Sequence, residues 1–162
     1  MTDFDLDAYA RAVREGPCFI CALVAGDPAY HHHVVYDDGE TIAFLNRYPT
    51  LRGYCLVAPR RHVEDWARDL DEAGHLALQA VVHRVARAVA AAVPTERMYA
   101  LSLGSAQGNA HVHWHVAPLP PGVPYDRQQF HALMAEHAVV LPVTDIEQSA
   151  LAIKIRGHLA RS

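Results

Sequence analysis

Between residues 70 and 93 apolar and polar positions follow the period of an α-helix. Leu78, Val81, Val82, Val85, Val89 and Val93 keep i, i+3, i+4, i+7 spacing, and Pro94 follows as a stop. A shorter run with the same period, Leu6, Tyr9, Ala10 and Val13, predicts a helix over 5–13 that Gly16-Pro17 ends. Elsewhere the pattern is that of strands. HHVVYDDGETIAFL (32–45) reads as a hairpin around Asp38-Gly39, and GYCLVAP (53–59) as a buried strand. After the long helix come a strand at MYALSL (98–103), a glycine-containing loop at GSAQGNA (104–110) and a strand at HVHWHVA (111–117). PLPPGVP (118–124) closes this core. Residues 126–138 read as helical, and Thr144 with Glu147 forms a capping box that opens a last helix near 145–160. The order predicts one α+β domain: an antiparallel sheet of about five strands, one long helix and extra C-terminal helices. Residues 1–118 form its core domain, and 119–162 a helical extension that packs on that core or on a partner copy.

Size and composition narrow the class. A chain of 162 residues can bury one sizeable core, and 51 % hydrophobic with 20 % charged residues describes a soluble globular protein. No apolar run approaches the length of a membrane span, so no membrane partner is expected. The acidic start MTDFDLDAYARAV lacks the features of a secretory signal. Net charge is −4 with histidine neutral, and no Lys/Arg block resembles a nucleic-acid footprint. That argues against DNA or RNA polymers but leaves room for a single nucleotide, whose few phosphates local donors can hold. Three cysteines without a signal peptide point to a reducing compartment, the cytoplasm. Cys18 and Cys21, spaced C-x-x-C, then read as metal or redox chemistry.

The candidate chemistry gathers at HVHWHV (111–116). In a strand His111, His113 and His115 share one face while Val112, Trp114 and Val116 share the other. Rings at every second position can share a ligand the size of a phosphate, or a metal. Histidine is 12 of the 162 residues, so the triplet alone is only suggestive, and the flanking pattern has to decide.

That pattern resembles the histidine-triad family, whose signature alternates three histidines with apolar residues. Trp114 is bulkier than the usual aliphatic residue at its place. TIAFLNRYPTLRGYCLVAPRRHVEDWARDL (41–70) is similar to the family's first half, and the resemblance covers about residues 18–118. The AFLNRYP wording is closest to the fragile-histidine-triad branch, which hydrolyses dinucleoside polyphosphates. The resemblance implies that His113 is the nucleophile and that His115 contacts phosphate and assists the leaving group. It also implies that Asn46 binds the ribose hydroxyls and that Gln107 contacts phosphate. Backbone amides of the GSAQGNA loop, around Gln107 and Asn109, can add donors. Near pH 7 a neutral imidazole is a competent nucleophile, and a nucleotidyl-imidazole splits one hard step into two.

Three departures stand out. Gly108 replaces the usual Ser or Thr after the glutamine, Ala106 replaces the preceding glycine, and the loop is about two residues short. Gly53-Tyr54 replaces the common Gly-His, a change that bears less directly on mechanism. In many bacterial members of the family, positions matching Cys18, Cys21, His62 and His111 form a structural zinc site, which the resemblance implies here. With four protein ligands such an ion is structural, so no catalytic metal is required. Family members typically pair as homodimers, which is the expectation here. Two other classes stay open: a zinc metallohydrolase using the His triplet as ligands, and a nucleotide-binding sensor with little turnover. The remaining histidines, including His31 to His33, His75 and His137, carry no signal of their own. Trp66 and Tyr48 read as core or interface residues.

Overall fold

The computed structural model describes residues 4–134 and 139–161. Five strands form one antiparallel sheet: β1 (Val34–Asp37), β2 (Thr41–Leu45), β3 (Cys55–Pro59), β4 (Arg97–Ser102) and β5 (Trp114–Leu119). Their order across the sheet is β1-β2-β3-β5-β4. Among the described residues six α-helices accompany them: α1 (Leu6–Glu15), α2 (Phe19–Val24), α3 (Trp66–Asp69), α4 (Glu72–Ala92), α5 (Phe130–Leu133) and α6 (Asp145–Leu159). The α+β architecture read from the sequence is the one observed. No helix among the described residues is long and apolar enough to cross a membrane.

One face of the sheet carries the main core. The stripe Leu78, Val81, Val82, Val85, Ala88, Val89 and Ala92 of α4 packs on Ala43, Leu45, Cys55, Val57, Val112, Trp114 and Val116. Each fully buried Val or Leu contributes about 1.5–3 kcal/mol. Leu151, Ala152 and Ile155 of α6 complete the same cluster, so the C-terminal helix packs on its own chain's core. The capping box is present at its start: the Thr144 hydroxyl accepts from Glu147 N, and the Glu147 carboxylate accepts from Thr144 N. Lys154 donates to the carbonyl of Ala92 at the end of α4. On the opposite face Ile20 of α2 packs on Ile42, Phe44, Leu56 and Ala58. The functional residues gather on this thinner side.

Some boundaries differ from the sequence reading for identifiable reasons. The helix expected over 5–13 runs to Glu15, started by the Asp5 side chain on Ala8 N. The long helix begins at Glu72 because Asp71 caps Gly74 N. The strand expected over 111–117 starts only at Trp114 and continues to Leu119. Pairing with β3 stops at Val57↔Trp114, and Val112 N instead donates to Val63 O at 2.6 Å. Pro118 is tolerated within β5. Leu119 O accepts from Glu96 N on the β4 side, so the N–H that Pro118 lacks would point toward β3, whose pairing has ended at Val116. The helix expected over 126–138 is not continuous. A single turn at Tyr125–Arg127 is followed by α5, and Gln129, at φ +52°, breaks the chain between them. Residues 135–138, His137 included, lie outside the described residues.

Burial of Ile155 leads to a direct expectation. Ile155→Ala should lower unfolding free energy by about 2–5 kcal/mol in a denaturant titration, the cost of a large-to-small change in a core. A change below half a kcal/mol would mean α6 is not part of the folded unit.

Candidate active site and metal cluster

The three histidines of the triplet are placed by three different devices. His111 precedes β5 and is almost sealed, at 1 % exposure. Its Nε2 lies 2.8 Å from the carbonyl oxygen of Pro59, which can only accept, so Nε2 carries the proton and Nδ1 presents a lone pair. That lone pair faces two thiols, Cys18 Sγ at 3.3 Å and Cys21 Sγ at 3.6 Å. His62 repeats the arrangement: its Nε2 donates to Glu64 at 3.0 Å, and its Nδ1 lies 3.3 Å from Cys21 Sγ. The donor atoms of Cys18, Cys21, His62 and His111 lie within 4.8 Å of one another.

A tetrahedral ion with metal–sulfur bonds of about 2.3 Å and metal–nitrogen bonds of about 2.0–2.1 Å has edges of about 3.3–3.8 Å. The three S···N separations, 3.3 to 3.6 Å, fall in that range. The outer hydrogen bonds to Pro59 and Glu64 are of the kind that fix metal-bound histidines. Burial, and then the neighbouring Cys18, push the Cys21 thiol up to about 11. A cation is what would lower it. Cys18 also starts α2, its sulfur accepting from Cys21 N at 3.4 Å, so that helix turn presents both sulfurs together. The third cysteine, Cys55, is fully buried on the α4 side and acts as a small apolar residue.

His113, at 3 % exposure, directs its Nδ1 to the carbonyl of His111 at 2.7 Å. The proton is therefore on Nδ1, and Nε2 offers a lone pair. Burial pulls its pKa below the ordinary histidine value, so the ring is neutral at pH 7. Phe19 of α2 meets it edge-on at 5.9 Å. His115 lies beside it with ring centroids 4.8 Å apart. Burial, helped by the neighbouring His113, pushes His115 down to about 3. Its Nδ1 meets the hydroxyl of Tyr54 at 3.0 Å. Both nitrogens of His111 are committed, to Pro59 and the thiols, so the triplet does not converge on one metal. That corrects the metallohydrolase alternative.

His111, His113 and His115 line one cavity of about 520 Å³, together with Asn46, Gln107 and Asn109. The structure thus brings all the residues expected in substrate contact to a single space. Asn46 turns its side-chain oxygen to Tyr48 N at 3.0 Å, leaving its amide N–H groups for a ligand. Its own carbonyl accepts from Gln148 of α6 at 3.0 Å. Gln148 was missed in the sequence, although a polar residue on the face shared by Leu151, Ala152 and Ile155 was the available signal. Tyr54 was undervalued there. The loop expected to add backbone donors spends three of them internally. Ser105 N and Gly108 N bond across it at 3.0 and 3.1 Å, and Gln107 N donates to Ser105 Oγ at 3.2 Å.

The roof of the cavity is α1. Tyr9, Phe4 and Tyr48 pack against one another, ring centroids 5.1 to 5.7 Å apart. Val13 occupies the space a side chain at Gly108 would need, since a Cβ there would lie 2.7 Å from Val13 Cγ1. This accounts for glycine where the resemblance led us to expect a hydroxyl residue. Outside the cavity, His33 Nε2 donates to Asp145 at 2.8 Å with His31 adjacent, a hydrogen bond beside the start of α6.

An antiparallel sheet with a histidine-lined cavity at the start of β5 defines a class, and the comparisons name it. The HIT domain family matches residues 28–121, and the chain belongs to that family. An uncharacterized HIT-like protein of Mycobacterium tuberculosis is 39 % identical over 107 residues, covering 63 % of this chain and 71 % of that one. A HIT-like protein of Saccharolobus solfataricus is 30 % identical over 104 residues, 62 % of this chain and 73 % of its own. A zinc-bound histidine triad family protein from Mycobacterium smegmatis superposes with a TM-score of 0.69 at 25 % identity, covering 89 % and 94 % of the two chains.

The Val13–Gly108 contact can be tested by exchange. Gly108→Ser should speed hydrogen exchange in α1 about tenfold or more, and adding Val13→Ala should reverse most of it. Unchanged exchange in the single variant would sink the packing account.

Proposed function

We propose that the protein is a nucleotide hydrolase or nucleotidyltransferase that cleaves at the α-phosphate of a dinucleoside polyphosphate or nucleoside phosphoramidate. The observation that carries this reading is His113: a buried neutral imidazole with its Nδ1–H fixed on a carbonyl and its Nε2 lone pair free, in a ring that lines the cavity. Nε2 attacks the α-phosphorus, the P–N bond forms as the bond to the leaving group breaks, and the leaving group takes up a proton. Water then displaces His113, giving a nucleoside monophosphate and the neutral ring. His115 contacts the phosphate oxygens and assists the leaving group. Asn46 donates to the ribose hydroxyls, and Gln107 and Asn109 face the phosphate chain. The protein acts in the cytoplasm as a homodimer.

Cys18, Cys21, His62 and His111 hold a structural zinc ion. Zinc there neutralises the thiolates and ties α2 to the start of β5. With all four ligands from the protein it has no open position for substrate. Purified protein should carry one zinc per chain by atomic emission. Cys21→Ser, or a strong chelator, should remove it and lower the melting temperature by several degrees, with activity falling only as structure is lost. Full activity and an unchanged melting temperature after metal removal would overturn the structural role.

The nucleophile is tested by trapping. Protein mixed with α-phosphate-labelled dinucleotides and phosphoramidates, then quenched, should yield acid-labile, base-stable label that is absent from His113→Ala. Nucleotide binding with neither label nor product would favour the sensor reading, which Gly108, lacking a hydroxyl, also suits.

The pH dependence follows from burial. His113 and His115 titrate below the ordinary value of 6.5, so the acidic limb of the rate profile should fall below pH 6.5. Folding stability shares the sign. The unfolded rings bind protons below pH 6.5 while the folded ones remain neutral, so stability is full above 6.5 and is lost as pH falls toward about 3, the folded value of His115. A rate profile whose acidic limb lies above 6.5 would contradict this placement of the rings.

A further inference from the structure

Tyr54 is 3 % exposed, and its hydroxyl has one partner among the described residues, His115 Nδ1 at 3.0 Å. A buried hydroxyl must place its proton on an acceptor, and this nitrogen is the one it reaches. Tyr54 therefore donates, and His115 accepts at Nδ1. A neutral imidazole that accepts at Nδ1 carries its single proton at Nε2. That Nε2 is buried and has no hydrogen-bond partner among the described residues, in a ring that lines the cavity beside His113. Buried N–H groups without partners are rare in folded proteins, and such a donor beside an open cavity is one a ligand can satisfy.

We infer that Tyr54 is a positioning residue that locks His115 as an Nε2–H donor held for an oxygen of the phosphate chain. The identity of that oxygen rests on the nucleotide reading above; the tautomer does not. The two neighbouring rings then have opposite polarity. His113 gives its proton to a backbone carbonyl and offers a lone pair, whereas His115 accepts from a phenol and offers a proton. Were both rings of the His113 kind, two lone pairs would face an anionic phosphate. The phenol holds its own proton throughout, since burial pushes its pKa up. Its part is to orient the ring, and no proton is relayed through it.

Zinc-loaded protein labelled with ¹⁵N-histidine would be examined by long-range ¹⁵N–¹H correlation, as wild type and as Tyr54→Phe. In the wild type, His115 should show a protonated Nε2 and a hydrogen-bonded, acceptor-type Nδ1. Adding adenosine 5′-monophosphate should move the Nε2 resonance. In Tyr54→Phe the Nδ1 resonance should shift to that of an unbonded nitrogen, or the proton should redistribute between the two nitrogens. With an adenosine phosphoramidate as substrate, kcat should fall about tenfold, the scale of one lost hydrogen bond, while KM stays within about twofold. A wild-type His115 protonated on Nδ1, or identical His115 resonances in the two proteins, would overturn the inference. An Nε2 resonance unmoved by the monophosphate, or an unchanged kcat, would overturn its role toward phosphate. Absence of turnover in the wild type would count against the enzyme reading alone, because the nitrogen resonances decide the tautomer without it.

Discussion

A neutral imidazole has two nitrogens and one proton, and the arrangement around the cavity follows from how that proton is assigned. His111 and His62 spend theirs on Pro59 and Glu64, which turns both Nδ1 lone pairs toward the thiols of Cys18 and Cys21. His113 spends its proton on the carbonyl of His111, two residues earlier in the chain. The same stretch of backbone that supplies one metal-type ligand therefore fixes the adjacent ring. Burial reinforces this at His111, His113 and His115, because it holds those three rings neutral and keeps the assignment meaningful at pH 7.

The assignment also explains why the strand begins late. Regular pairing with β3 from residue 111 onward would compete with two observed bonds, the His111 carbonyl to His113 and Val112 N to Val63 O. The chain gives up ladder bonds there and takes these two instead. Val112 still reaches the α4 core beside Trp114 and Val116, and the alternation of faces survives the loss of strand geometry.

Much of this was legible in the chain. The period of the long helix, the capping box at Thr144 and the alternation around Trp114 are local signals, and each corresponds to an element or face in the structure. The convergence of Cys18 and Cys21 with His62 and His111 came from resemblance, since no local rule joins residues 41 to 93 positions apart. What escaped was long-range and polar. Gln148 reaches across to the carbonyl of Asn46, a bond between residues 102 apart. Tyr54 and His115 meet only because β3 and β5 are neighbours. The helix expected over 126–138 failed for a different reason: periodicity says nothing of a residue such as Gln129 that turns to positive φ.

Floor and roof of the cavity are built to different standards. The floor is sheet, backed by two helices and a continuous apolar core. The roof, α1, is ten residues long with none of them buried, held by an aromatic trio and one valine on a glycine. Segments with so little buried surface open locally at far lower free energy than the whole domain unfolds. Opening of the cavity on this side thus needs no global unfolding. On the nucleotide reading, the domain is rigid where atoms must be aligned and quick where molecules must come and go, and stiffening α1 would change residence time before it changed the chemistry.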